Sequence, residues 1–240
     1  MKKFFVKKSK QGLFLALVIT VCTMLMPAKA FAQGGGPPTV TYPVFWEETQ
    51  PAGNIDKNWQ SVSVSSDGSK MLAGVWGGRI YLSANGGTSW AETRPPGDFD
   101  KNWNAVTISA DGSKMLAGVN PLGRLYLSSN GGASWAETQP AGDFNKNWSA
   151  VSASADGSKM LAGVYFGRLY LSTNGGTSWS EIRPAGDANK WWISVSVSSD
   201  GSKMLAAVQD GRLYLSTDGG TNWVETGPAL GEIISLKFKV

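Results

Sequence analysis

The chain has 240 residues, with 22 Lys and Arg against 18 Asp and Glu, a single Cys and no His. Residues 1–32 hold six of the lysines and no acid, so the remainder carries 16 basic and 18 acidic residues, and nothing in its charge calls for nucleic acid or an anionic membrane as a partner. Beyond residue 32 there is neither His nor Cys, which excludes Ser–His and Cys–His catalysis and disulfides, and leaves few ligands for zinc, copper or haem.

The N-terminus reads as a secretory signal. A basic stretch, MKKFFVKKSKQG, precedes 14 apolar residues, LFLALVITVCTMLM, too few for a comfortable membrane span. Ala30 and Ala32 then fit the small-residue pattern of signal peptidase, so cleavage after Ala32 is expected. Cys22 lies inside the apolar stretch and has no lipoprotein context. The expected organisation is a signal peptide at 1–32, a short linker at 33–44 and one folded region at 45–240. The expected location is secreted or periplasmic, in the cell envelope, without membrane attachment after cleavage.

The rest of the chain is a repeat. Trp90, Trp135, Trp179 and Trp223 follow one another at steps of 45, 44 and 44 residues, and Asp67, Asp111, Asp156 and Asp200 keep the same step. Complete copies run about 50–94, 95–139, 140–183 and 184–227. Within a copy, QSVSVSS alternates apolar and small polar residues as a half-buried strand does. Asp-Gly-Ser then turns the chain, KMLAGV reads as a buried strand, GRIYLS as a third and TSWAET as a fourth. Four strands per repeat of this length predict an all-β fold: a β-propeller of four-stranded antiparallel blades, four- or five-bladed. Residues 45–49 match a fourth strand and residues 234–240, ISLKFKV, resemble a first strand; the two are expected to meet and close the ring.

The third and fourth strands are joined by the most regular phrase in the chain: LSANGGTSW, LSSNGGASW, LSTNGGTSW and LSTDGGTNW. It resembles the Asp-box, the bacterial neuraminidase repeat, of the sialidase-like superfamily. The matching serines are Ser83, Ser128, Ser172 and Ser216; the glycines are Gly87, Gly132, Gly176 and Gly220; the aromatics are Trp90, Trp135, Trp179 and Trp223. Asp218 matches the aspartate, and Asn85, Asn130 and Asn174 replace it in the other copies. A carboxylate or amide here can accept N–H groups of its own turn, the glycines permit positive φ, and the indole can wedge between blades. The resemblance implies that the box is structural and lies away from any active site. One carboxylate in a turn is too few oxygens for calcium, so no metal and no cofactor are expected.

Alternating strand direction puts the Asp-Gly-Ser and box turns on one face. The turns between second and third strands, WGG, NPLG, YFG and QDG, share the other face with the loops that link blades. Those turns vary, and variable loops on a rigid frame are where binding lives. The candidate ligand residues are Trp76, Tyr165, Phe166, Trp191 and Asp210, beside Lys57, Lys101, Lys146 and Lys190 and Asn58, Asn102 and Asn147. Trp59, Trp103, Trp148 and Trp192 are expected to pack blades, Arg79, Arg124, Arg168 and Arg212 to pair with carboxylates or carbonyls, and Glu92, Glu137, Glu181 and Glu225 to face solvent from outer strands. The resembled family includes sialidases and other glycosidases, but no unique pair of carboxylates stands out here, so no catalytic residue is assigned. The expected function is a non-catalytic binding module for envelope or extracellular glycan. The alternatives are a scaffold or assembly factor for an envelope protein and, behind it, an exo-glycosidase.

Overall fold

The computed structural model describes residues 47–95 and 99–226. The expected signal peptide, the linker and the segment 234–240 lie outside them, as do residues 45 and 46 of the first stray strand. The described part is all β. Blade 1 contains β1 (Trp59–Val64), β2 (Met71–Val75), β3 (Ile80–Ser83) and β4 (Ala91–Thr93); blade 2 contains β5 (Trp103–Ile108), β6 (Met115–Val119), β7 (Leu125–Ser128) and β8 (Ala136–Thr138). Blade 3 contains β9 (Trp148–Ala153), β10 (Met160–Gly167), β11 (Leu169–Ser172) and β12 (Ser180–Ile182); blade 4 contains β13 (Lys190–Val197), β14 (Met204–Val208), β15 (Leu213–Ser216) and β16 (Val224–Thr226). Each blade is an antiparallel sheet in chain order, and the first strands of successive blades pack side by side. This is a β-propeller.

Among the described residues there is no single core. Apolar residues gather in three layers, one between each pair of adjacent blades. Leu72 and Ile80 of blade 1 meet Trp103, Val106, Met115 and Tyr126 of blade 2, and the same arrangement recurs at the next two interfaces. Inside each blade the first-strand Trp meets the third-strand Tyr edge to face, with ring centres 5.3–5.5 Å apart. Trp103, Trp148 and Trp192 are buried as packing residues, whereas Trp59 has no described blade before it and is 37% exposed.

Close stacking rests on one small residue per blade. A Cβ at Gly74, Gly118 or Gly163 would stand 3.0, 2.9 or 3.2 Å from the Cβ of the next blade's Trp103, Trp148 or Trp192. Glycine here serves close approach and not turn geometry. With the strands this near, side chains of one first strand bond the backbone of the next. Ser61 and Ser63 accept the Val106 and Ile108 N–H groups, at 3.0 and 3.1 Å, and Ser152 accepts that of Val197 at 3.0 Å. Around the opposite end, the N–H groups of Ser66, Ala110 and Ala155 each donate to the carbonyl one blade on, and Lys70, Lys114 and Lys159 reach the next blade's glycine carbonyl.

The conserved-looking turns are hydrogen-bonded hubs. In blade 1 the buried Ser83 hydroxyl donates to Asn85 Oδ1 at 3.0 Å and accepts the Gly87 N–H at 2.9 Å, while Asn85 Oδ1 also accepts the Ser89 N–H at 2.9 Å. The remaining amide nitrogen of Asn85 donates to Ser89 Oγ, and blades 2 and 3 repeat this with Asn130–Ser134 and Asn174–Ser178. Blade 4 exchanges both partners: Asp218 Oδ2 accepts from Asn222 Nδ2 at 2.6 Å. A carboxylate has no proton to give, so its neighbour must be a donor. Those N–H groups hold the Asp218 carboxyl at about 2, below its usual range. A depressed carboxylate supports the fold fully above its unfolded pKa and loses that support as the pH falls toward 2. Asp67, Asp111 and Asp156 are held at about 2 in the same way by flanking serines of the Asp-Gly-Ser turns.

In blades 2 and 3 the box tryptophan ties blades together, whereas Trp223 of blade 4, which meets Ile182 in place of a threonine, donates to the Gly220 carbonyl of its own turn. Trp135 Nε1 donates to Thr93 Oγ1 of the preceding blade at 2.7 Å, and Trp179 to Thr138 at 2.8 Å. Thr93 and Thr138 in turn donate to the carbonyls of Gly132 and Gly176. Thr49 makes both bonds with Trp90 and Gly87. It therefore stands where the fourth strand of a preceding blade would be, although residues 47–50 are not themselves a strand.

Two outcomes test this frame. Gly118→Ala should destabilise by about 1–3 kcal/mol, the usual range for overpacking, in urea unfolding. Asp218→Asn should change the melting temperature little, because Asn222 can turn its amide and present Oδ1 to the new NH₂ group, whereas Asp218→Ala should lower it by removing the acceptor of the turn; equal losses in the two variants would show that the carboxylate charge itself sets this turn.

Candidate functional site: the face of variable turns

The Asp-Gly-Ser and box turns do share a face. Gly86, Gly131, Gly175 and Gly219 each donate to a serine carbonyl of the Asp-Gly-Ser turn in their own blade. The opposite face is built from the second-to-third-strand turns and the inter-blade loops, and its backbone repeats closely. The N–H groups of Trp76, Asn120, Tyr165 and Gln209 donate to the carbonyls of Asn58, Asn102, Asn147 and Trp191, at 2.8–3.0 Å. The glycine that ends each turn then bridges to the next blade, as Gly78–Lys101, Gly123–Lys146 and Gly167–Lys190.

On this fixed backbone the side chains diverge. The tip position is Gly77 in blade 1, at φ 69°, but Leu122, Phe166 and Asp210 in the others, at φ 48°, 57° and 50°. A bulky residue in this left-handed region is strained by roughly 1 kcal/mol or more, which glycine would avoid. Leu122 and Phe166 recover nothing by burial, being 69% and 62% exposed.

Of the five candidates, the structure brings two into contact. Tyr165 of blade 3 and Trp191 of blade 4 are partners across the inter-blade bridge and their rings lie parallel, with centres 6.0 Å apart and planes 9° apart. Trp191 is 42% exposed, so the pair forms a two-ring shelf open to solvent. Phe166, the next residue after Tyr165, lines a cavity of about 270 Å³ with Lys146, Arg168, Arg183 and Asn189. Trp76 belongs to blade 1 and Asp210 to the blade 4 tip, so neither joins that cavity.

Several neighbours have other duties. Asn147 Oδ1 accepts the Leu122 N–H at 2.8 Å and so holds the blade 2 tip. The repeat arginines are engaged: Arg79 with Asp100 at 2.8 Å, Arg124 with Asp143 at 2.6 Å, and Arg168 with the carbonyls of Gly186, Asp187 and Ala188. The fourth-strand glutamates differ from expectation. They do not simply face water: Glu92, Glu137, Glu181 and Glu225 lie 3.6–3.8 Å from Arg79, Arg124, Arg168 and Arg212, the residues that precede the adjacent third strands. Tyr170 and Tyr214 donate their hydroxyls to Glu181 and Glu225, at 3.2 and 3.0 Å. Burial, with Glu181 second, pushes the Tyr170 hydroxyl up to about 12. The Arg–Glu–Tyr group recurs blade after blade because neighbouring strands set these positions opposite each other.

Sequence reasoning missed part of this face. Ile55, Phe99 and Phe144 occupy one position of the inter-blade loop and are 64%, 67% and 69% exposed. Lys101 Nζ sits 4.6 Å from the Phe99 ring centre and Lys146 Nζ 6.0 Å from that of Phe144. The available signal was an apolar residue held at one repeat position within otherwise polar loops. Among the described residues, no three of Asp, Glu, His and Cys gather as a metal site.

No family model matches this sequence, and no curated protein does. Solved structures share the fold. An ancestral GH74 enzyme superposes with a TM-score of 0.56 at 22% identity, over 72% of this chain and 26% of its own. YCF48 from Cyanidioschyzon merolae does so with a TM-score of 0.54 at 16% identity, over 76% of this chain and 60% of its own. The β-propeller domain of Cps50 (Swd1) from "Myceliophteria_thermophila" gives 0.53 at 17%, over 68% and 53%. The chain therefore spans about a quarter of the GH74 protein and less than two thirds of the others. At these identities the likeness is one of fold, the β-propeller, and of fold alone.

Replacing Phe166 by Gly should raise stability by about 0.5–1 kcal/mol, because the strain of a side chain at positive φ disappears while little buried area is lost. Thermal unfolding reads this directly; a loss of stability would mean that the Phe166 ring packs and does not merely project.

Proposed function

We propose that the protein is an exported, non-catalytic β-propeller of Asp-box type that binds carbohydrate on the face of variable turns. One observation carries the reading: three of four tip residues keep a strained backbone under a side chain offered to solvent, Phe166 and Leu122 among them. Strain held without a packing return marks a position kept for recognition. The Tyr165–Trp191 stack holds the exposed Trp191 ring in place as an aromatic platform, the kind of surface on which a pyranose face packs. The cavity lined by Phe166, the residue after Tyr165, adds donors on Lys146 and Asn189 for hydroxyl or carboxylate groups, and its size suits one sugar unit.

Absence of catalysis is supported by the way the acids are used. The fourth-strand glutamates pair with arginines, and the turn aspartates hold their own serines and N–H groups. A tyrosine whose hydroxyl is pushed up to about 12 is a poor nucleophile at neutral pH. A scaffold role has its own support: the Ile55, Phe99 and Phe144 row crosses successive blades at a regular step, which suits an extended peptide better than a sugar.

The test is a glycan array with residues 33–240, followed by titration of the best glycan. Tyr165→Ala and Trp191→Ala should each weaken binding at least about tenfold, a loss equal to a stacking contact. Trp76→Ala should weaken it less, and Asn85→Ala on the opposite face should lower stability while leaving affinity intact. Silence on the array, with an envelope protein retained by the parent and lost in Phe144→Ala, would transfer the function to the scaffold reading.

A further inference from the structure

At three of the boxes the second glycine receives a leucine. An added Cβ at Gly132, Gly176 or Gly220 would stand 2.6–2.8 Å from Cδ2 of Leu82, Leu127 or Leu171, each on the third strand of the preceding blade. The box of blade 1 differs. A Cβ at Gly87 would meet nothing nearer than Met71 Sδ, at 3.4 Å. The cavity beside it is correspondingly larger. Lined by Glu47, Glu48, Thr49, Met71, Gly87 and Trp90, it measures about 690 Å³. Its counterpart at blade 2, lined by Leu82, Glu92, Thr93, Gly132 and Trp135, measures about 330 Å³.

One wall of the larger cavity is laid out as a fourth strand. Thr49 accepts the Trp90 indole N–H at 2.7 Å and donates to the Gly87 carbonyl, as Thr93 does with Trp135 and Gly132. Glu48 then stands in the place of Glu92, Glu137 and Glu181. Each of those faces the arginine that precedes a third strand. Glu48 takes a bond from Gln50 at 3.4 Å, and among the described residues no cation pairs with it. The register of a complete blade says what would suit this wall. Ile80 lies opposite Thr93, Tyr81 opposite Glu92 and Leu82 opposite Ala91, with Arg79 just before them. Opposite Thr49, Glu48 and Glu47 the same register calls for an aliphatic residue, an aromatic and a leucine, preceded by an arginine.

This chain has no spare segment of that kind. Its arginines are Arg79, Arg94, Arg124, Arg168, Arg183 and Arg212, all among the described residues, and its four Arg-x-Tyr-Leu segments are already paired inside blades. A second copy would bring β16 together with β15, and β16 would compete for the place that residues 47–50 hold. The unneutralised Glu48 and the leucine-sized space over Gly87 favour a strand from a different polypeptide.

We propose that the cavity at Gly87 is a docking site for an extended segment of a partner protein, of the pattern Arg–aliphatic–aromatic–Leu. The segment adds as a strand beside residues 47–49, sets its arginine on Glu48 and lays its leucine over Gly87 and Met71. Main-chain bonds give such an addition its affinity, and the arginine and leucine give it selectivity.

The test is titration of the purified chain with a fluorescent hexapeptide, Gly-Arg-Leu-Tyr-Leu-Ser, the sequence that blades 2, 3 and 4 share at the third strand. Polarisation should show saturable binding, and replacing the second leucine of the peptide by Asp should abolish it. A peptide with Glu in place of Arg should bind at least about tenfold more weakly. Glu48→Arg, a change at an exposed position, should reverse the order of those two peptides. Absence of saturation would overturn the proposal, as would binding that Glu48→Arg leaves unchanged. Binding that appears only after removal of residues 227–240 would overturn it too, by giving the cavity to this chain's own terminus.

Discussion

The contact on which this structure depends is the approach of one blade's glycine to the next blade's tryptophan. Gly74, Gly118 and Gly163 bring neighbouring backbones so near that no side chain fits between them. Everything apolar follows from that spacing. The large residues sit to either side of the contact, Leu and Ile on one blade and Trp, Met and Tyr on the next, and each interface becomes a core. The polar consequences are equally direct. First strands held this closely can bond through serine hydroxyls, because only a short side chain fits and a hydroxyl can satisfy the facing N–H.

The same frame divides the molecule's two ends by chemistry. At one end polar side chains of the turns are bonded within the frame: Asp to flanking serines, Asn or Asp to the box backbone, and Lys70, Lys114 and Lys159 to the neighbouring blade. At the other end the backbone repeats but the tips do not, and Leu122, Phe166 and Asp210 occupy a conformation that glycine would adopt at lower cost. Rigidity beneath and variation above is the arrangement that lets a propeller change ligands without changing its fold.

A cluster of Tyr, Glu and Arg recurs from blade to blade. Tyr170, Glu181 and Arg168 form a close cluster, but Tyr126, Glu137 and Arg124 stand in the same strand positions of blade 2, and Tyr214, Glu225 and Arg212 in those of blade 4. Third- and fourth-strand register places Tyr opposite Glu each time. Glu in turn neutralises the Arg that anchors the inter-blade loop. A buried tyrosine donating to a carboxylate holds its proton more tightly, which strengthens the strand pair and blunts nucleophilicity.

The four-stranded antiparallel blades and the sharing of faces by turns were legible in the sequence, because hydrophobic alternation and Asp-Gly or Asn-Gly turns act locally and were written four times over. The burial of Trp103, Trp148 and Trp192 was legible too, since an aromatic at a strand start has few other uses. Three things were decided by tertiary structure. Glu137 could not be read as an arginine partner, because the Arg124 side chain reaches it only across a sheet whose register the turns set. The parallel stacking of Tyr165 on Trp191 depends on a bridge between blades, which no single repeat contains. The strain at Leu122 and Phe166 was hidden because a tip residue's φ is imposed by hydrogen bonds on both sides of it, to its own first strand and to the next blade's loop, and the residue's own preference is overruled.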